Sequence, residues 1–205
     1  MKFGIIGNGI KWRGSMNIGE EIVASYLEYI KECNFVQRNL YTKDVQGEID
    51  VVGVNLKTNE AYICESTTNL TTGLLYVGRD NKNNNIQKLV DKFSKDIEYA
   101  EKYLSDYEKH YMLWSPIVKD NKTTLENSQI YQLDVVREMI VEKYGVNLEQ
   151  VINERYQDCL RELRVFSKKE TKALQSPILR YLQIEEYLSK HINNLKISKS
   201  KTNDK

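Results

Sequence analysis

The sequence predicts an α/β chain, and three stretches carry that expectation. Gln46–Val54 and Ala61–Thr67 are rich in Val, Ile and Tyr and are separated by Lys57-Thr58-Asn59-Glu60, a turn composition, so together they read as a β-hairpin. Residues 18–32 place Ile18, Ile22, Val23, Tyr26, Leu27 and Ile30 on one stripe at helical spacing. From Asn85 to Leu104 a second such stripe runs through Ile86, Leu89, Val90, Phe93, Ile97, Ala100 and Leu104, with Asn85 as the expected N-cap.

The hairpin carries the chemistry. Asp50 and Glu65 stand in strands that otherwise call for burial, and a buried carboxylate is costly without a partner. A divalent cation is one such partner. A turn centred between Thr58 and Asn59 sets Asp50 opposite Thr67 and Val52 opposite Glu65. Asp50, Glu65 and Thr67 then share one face, and the two acids are diagonal neighbours roughly 5–8 Å apart, close enough to ligate one ion. A slip of one residue would separate them onto opposite faces.

On the first helix, Glu20 lies about 90° from the centre of the apolar stripe, while Glu21 points away from it and is expected in water with Glu28. Glu20 is therefore the third candidate acid; its alternative role is that of an early-helix acid facing the dipole. On the second helix, Lys88 and Lys95 fall near 180–200° from Ile86 and face water, whereas Lys92 sits near the flank at about 120°. Gln87, on the opposite flank, could orient a water or a phosphate.

Gly47-Glu48-Ile49-Asp50, a turn, and then the apolar run into Glu65 resemble the core of the PD-(D/E)xK nuclease superfamily. Gly19-Glu20, Ala24 and Tyr26-Leu27 resemble its first helix, and Phe35–Asn39 its first strand. The resemblance spans roughly residues 18–104 and departs from the family at one position: Thr67 stands where the family has a lysine. It implies a restriction-endonuclease-like fold, a central mixed sheet flanked by helices. It also implies magnesium-dependent hydrolysis of phosphodiester bonds, with manganese as an alternative ion. Asp50, Glu65 and the Ser66 carbonyl would hold the ion, and Glu20 would assist through a second ion or its water shell. Thr67 could at most position a water. A lysine charge stabilises the attacking hydroxide and the crowded phosphate, and a helix can deliver it as well as a strand. Lys92 is the first candidate for that role and Lys88 the second. The expected function is a restriction-type or defence-related DNA endonuclease, with a homodimer among its expected assemblies because cutting both strands commonly takes two active sites. Two other readings fit the same residues: a module that keeps the fold without the chemistry, binding nucleic acid or supporting assembly, and a nuclease acting on RNA or branched DNA.

The chain of 205 residues, 40% hydrophobic and 29% charged, has material for one core and an appendage. The expected division is a nuclease-like core over 1–145 and a basic helical extension over 146–205 packed on it, with the last ten or so residues frayed. Net charge is only +1, so a nucleic-acid contact must come from a local patch. From Arg161 onward eleven Lys/Arg face five acids, and that segment is the candidate grip on a phosphate backbone.

Cys33, Cys64 and Cys159 form no metal-binding spacing, and His110 and His191 are isolated. A reduced, cytoplasmic setting is expected, with no membrane span and no signal peptide. Gly7-x-Gly9 lacks the third glycine and the acid-ended strand of a dinucleotide loop. Thr67–Asn85 reads as a long polar loop, with Gly73–Tyr76 able to pack back on the sheet and Arg79 and Lys82 either as strand-contacting cations or as ordinary solvated charges. Tyr111–Val118 reads as a strand, with Ile130–Leu133 leading into it or pairing with it. Asp134–Tyr144 reads as a helix ended by Gly145, and Asn147–Lys169 and Ser176–Leu195 as two further helices.

Overall fold

The computed structural model describes residues 17–42, 47–76, 84–121 and 124–203, with side chains up to Lys196. The glycine-rich lead-in at 2–10 and the loop cations Arg79 and Lys82 lie outside these residues.

Five strands, β1 (Phe35–Thr42), β2 (Gly47–Asn55), β3 (Glu60–Ser66), β4 (Glu108–Ser115) and β5 (Leu148–Ile152), form one sheet in that order. β1, β2 and β3 pair antiparallel, and β3, β4 and β5 pair parallel. The helices are α1 (Ile18–Tyr29), α2 (Asn85–Tyr103), α3 (Gln129–Tyr144), α4 (Asn153–Lys169) and α5 (Pro177–Asn203). Parallel neighbours need a crossover, and α2 and α3 supply the two of them. The α/β class, with a mixed sheet flanked by helices and a helical C-terminal region, is therefore the architecture of the chain.

Alternation along the strands sorts the core into two layers. Val52, Ala61, Ile63 and Leu113 pack with Leu89, Phe93 and Ile97 of α2 and Leu133, Val136 and Ile140 of α3. On the other face Val51, Tyr62, Cys64, Met112 and Trp114 pack with Val23 and Leu27 of α1, Cys159 and Leu163 of α4 and Leu179 of α5. The three cysteines are free thiols buried in or beside this second layer.

The hairpin forms, but its register differs from the expected one. Val52 lies opposite Ile63 and Val51 opposite Cys64, two residues away from the expected pairing. The turn is centred one residue earlier because the Asn55 side chain accepts the N–H groups of Lys57 and Thr58 (2.9 and 3.1 Å), and Asn59 takes the left-handed conformation at φ 60°. A shift of two residues keeps every side chain on its expected face. Continuing the observed register places Asp50 level with Glu65, so the two acids are direct partners rather than diagonal ones.

Other expectations are corrected. Residues 148–152 of the expected helix 147–169 are β5, whose apolar Leu148 and Val151 are buried beside β4. Ile130–Leu133 belong to α3, capped by the Ser128 side chain and ended as expected by Gly145 at φ 68°. β4 stops before Pro116, so Ile117 and Val118 are outside the strand. α1 ends at Tyr29, and α5 continues past Leu195 to Asn203.

Asn85 is not a cap either. It is the first helical residue of α2, and its buried amide joins three segments. Its Nδ2 donates to the Leu74 carbonyl and to Gln132 Oε1 (2.8 and 2.7 Å), and its Oδ1 accepts the Tyr76 N–H at 2.6 Å. Gln129 does similar work, accepting the N–H groups of Leu74 and Lys119 and donating to the Thr72 carbonyl. These bonds fold 72–76 onto the α2 face and bury Leu74 completely. Because Asn85→Ala would leave several buried polar groups unpaired, it is expected to lower unfolding free energy by about 2–4 kcal/mol. Urea denaturation measures this, and a change under about 0.5 kcal/mol would contradict the account.

Candidate active site

Asp50 and Glu65 come from adjacent strands and face α2. Lys92 reaches them from that helix. Its Nζ contacts Glu65 Oε2 directly and lies 3.4 Å from both Asp50 oxygens. The Glu65 side chain is 1% exposed, Asp50 15% and Lys92 34%, so the lysine closes the cluster from its solvent side. The helical phase that positions it follows from the apolar stripe. Leu89, Phe93 and Ile97 are buried, Lys88 and Lys95 are exposed, and Lys92 is half-buried on the flank between them.

The Ser66 backbone N–H donates to Asp50 Oδ2 at 2.8 Å and fixes that carboxylate against the end of β3. Thr67 continues the pairing of β3 with β4, its N–H donating to the Trp114 carbonyl at 2.9 Å. The cluster thus stands at the carboxyl end of the parallel strands, where α/β sheets place their ligands. A cleft of about 390 Å³ opens there, lined by Gly47, Glu48, Asp50, Tyr76, Lys88, Asp91, Lys92, Lys95 and Asp96.

Glu20 is not in that cluster. α1 packs on the opposite face of the sheet, and Glu20 stands at its N-terminal turn, where Oε1 accepts from Asn17 Nδ2 (2.6 Å) and Oε2 from Asn39 Nδ2 (3.0 Å). Burial raises its pKa, the two amides pull it back, and the charges of Asp50 and Glu48 push it up again. It therefore feels Asp50 across the sheet end without touching it. Gly19 brings α1 this close: a Cβ there would stand 2.7 Å from Ser66 Oγ and would also overlap Thr68 Cγ2. Glu21, expected in water, is instead buried and ion-paired with Arg38 of β1. Gln87 turns away from the acids and donates to Asp91 at 2.7 Å.

Two residues that sequence reasoning did not single out belong to the site. Asn39 is level with Asp50 in the β1–β2 register and holds φ at 51°, a conformation asparagine tolerates better than most side chains. Asp96 lies one helical turn beyond Lys92, in the cleft wall. It is 3% exposed, its Oδ2 has no hydrogen-bond partner, and burial pushes its pKa up to about 7 against the pull of Lys92. An acid among the apolar positions of α2 was the available signal. Tyr76 is pushed up to about 12 by burial, with the charge of Asp50 adding to it.

The donor set suits a hard cation. Two carboxylates and a backbone carbonyl are oxygen ligands of the kind magnesium takes, with water completing its shell. Glu65 Oε1 is buried without a hydrogen-bond partner, and the carboxylate pair already accommodates one cation, the Lys92 ammonium. Among the described residues, no three His, Cys, Asp or Glu side chains converge closely enough to hold a metal ion. An ion here would rest on Asp50, Glu65, the Ser66 carbonyl and water.

Asp96 gives the site a pH signature. A carboxyl with a raised folded-state pKa stabilises the fold at low pH and loses that contribution as pH rises through about 7. Asp96→Asn should therefore raise stability at pH 8 by roughly 2–4 kcal/mol, with the gain shrinking toward pH 4. Urea unfolding across that range measures it, and a loss of stability at pH 8 would contradict it.

The chain matches no protein-family model, no curated protein and no solved structure, so its functional reading rests on the carboxylate–lysine cluster itself.

Proposed function

We propose that the chain is a magnesium-dependent endonuclease acting on DNA, of restriction or defence type. The observation that supports this most is the convergence of Lys92 on Asp50 and Glu65, three side chains from three elements, of which Asp50 and Lys92 line one cleft. Lys92 brings a cation to the two acids, which supports its assignment to the role of the missing strand lysine. Buried ion pairs are weak devices for stability, so a cluster that leaves a carboxylate oxygen unpaired favours a functional reading.

In this reading Asp50, Glu65 and the Ser66 carbonyl hold the ion. When bound, magnesium lowers the pKa of a coordinated water and offsets charge on the phosphate. The chain's own residues do the rest. The Ser66 N–H keeps Asp50 oriented at 2.8 Å. Lys92 balances the two carboxylates in the free protein, and its partly exposed ammonium then turns to the phosphate, where it stabilises the negative charge of the transition state. Lys88 and Lys95, exposed at the rim, attract the backbone. Glu20 stays a neighbour acting through its charge on the Asp50 end of the sheet. Double-strand cutting takes two such sites, so a homodimer belongs to the reading. Among the described residues no helix is long and apolar enough to cross a membrane.

Plasmid and genomic DNA incubated with and without magnesium provide the test. Asp50→Ala and Glu65→Ala should abolish metal-dependent nicking, Lys92→Ala should slow it about 100-fold, and Lys88→Ala less than about 10-fold. Failure to cut duplex DNA with magnesium or manganese would overturn the proposal; cutting confined to RNA or branched DNA would replace its substrate.

A further inference from the structure

Helix α5 leaves the body of the molecule partway along its length. Leu179 is buried in the core with α1 and α4. Gln183 is buried and donates to the Glu170 and Lys172 carbonyls of the segment that precedes α5, and Glu186 meets Lys168 at 2.9 Å and Lys190 at 3.5 Å. From Tyr187 to Lys196 every side chain is exposed. A helix standing free in water is marginal without tertiary contacts and is expected to be polar all round. This one is not. Tyr181, Ile184, Leu188, Ile192 and Leu195 are 66, 54, 54, 41 and 48% exposed. At 100° per residue they fall within an arc of about 80°, centred about 180° from Leu179. α5 thus carries two apolar stripes on opposite sides, and the body of the molecule covers one.

We propose that the second stripe is a dimer seam, covered by α5 of a second copy of this chain running antiparallel about a twofold axis at Leu188. The spacing of the five residues reads the same in both directions. Antiparallel pairing therefore sets Tyr181 against Leu195 of the second copy, Ile184 against Ile192, and Leu188 against itself. Such isologous contacts are how a chain covers its own surface.

The helix dipoles, and one charge pair, favour the antiparallel direction. Glu185 and Lys196 lie on the same flank of the stripe, about 20° apart around the helix. In an antiparallel pair like flanks meet, which brings Glu185 of each copy to Lys196 of the other, offset by about 7.5 Å along the axis and within reach of two long side chains. Glu185 stands 3.6 Å from Arg164 in a half-exposed pair, and its carboxylate can accept from both cations. Parallel pairing would instead bring unlike flanks together, separate Glu185 from Lys196 of the other copy, and align the two helix dipoles.

Sedimentation equilibrium of the full chain tests this without reference to nuclease activity. The wild type should sediment at twice the chain mass. Leu188→Glu should weaken association at least about 30-fold, with circular dichroism and thermal unfolding of the body unchanged because Leu188 is exposed in the single chain. The double variant Tyr181→Cys/Leu195→Cys, mildly oxidised, should give a disulfide joining position 181 of one copy to 195 of the other. A wild type that stays monomeric up to about 100 μM, a dimer indifferent to Leu188→Glu, or a 181-to-181 crosslink would each overturn the proposal.

Discussion

The structure depends on one electrostatic constraint: two carboxylates, level with each other on neighbouring strands, face a helix layer otherwise built from Leu, Val, Phe and Ile. Placed there alone they would repel each other and lose their hydration. Lys92 answers both problems at once, and it can do so because α2 presents its apolar stripe to the sheet and leaves this one flank position over the acids. The β3–α2–β4 crossover, the folding of 72–76 against α2 and the Ser66 N–H bond to Asp50 all fix the geometry of that contact. Asp96, one turn further along, extends the same cleft with a carboxyl kept near neutral titration by burial.

The two faces of the sheet divide the labour. The α2–α3 face carries the acids, the lysine and the cleft. The α1–α4–α5 face carries the aromatic core, including Trp114 stacked edge-on against Tyr26 and Tyr156. Glu20 marks the border between them. It belongs to α1 by chain and touches the acid cluster only through its field.

Much of this was legible in the sequence where a period decided it. The hairpin faces survived an error in turn position because a two-residue slip preserves alternation, and the phase of Lys92 followed directly from the stripe of α2. What was not legible turned on side-chain chemistry that no period encodes. The Asn55 amide moved the turn, Arg38 drew Glu21 into burial, and Asn85 spent its hydrogen bonds on tertiary contacts instead of a cap. Leu148–Ile152 is too short a run to separate from a helix start by pattern alone, and parallel pairing with β4 decided it. Glu20, expected at the margin between core and solvent, is buried, and the stripe could not say which face of the sheet α1 would cover.

The central claim is that Asp50 and Glu65 form one cation seat that Lys92 occupies and yields. Anomalous diffraction from crystals of the full chain soaked in manganese tests it most directly. The account expects a peak at coordination distance from both carboxylates and the Ser66 carbonyl, with the Lys92 ammonium displaced toward the cleft. Lys92 still seated on both acids at saturating manganese, with no peak between them, would contradict it.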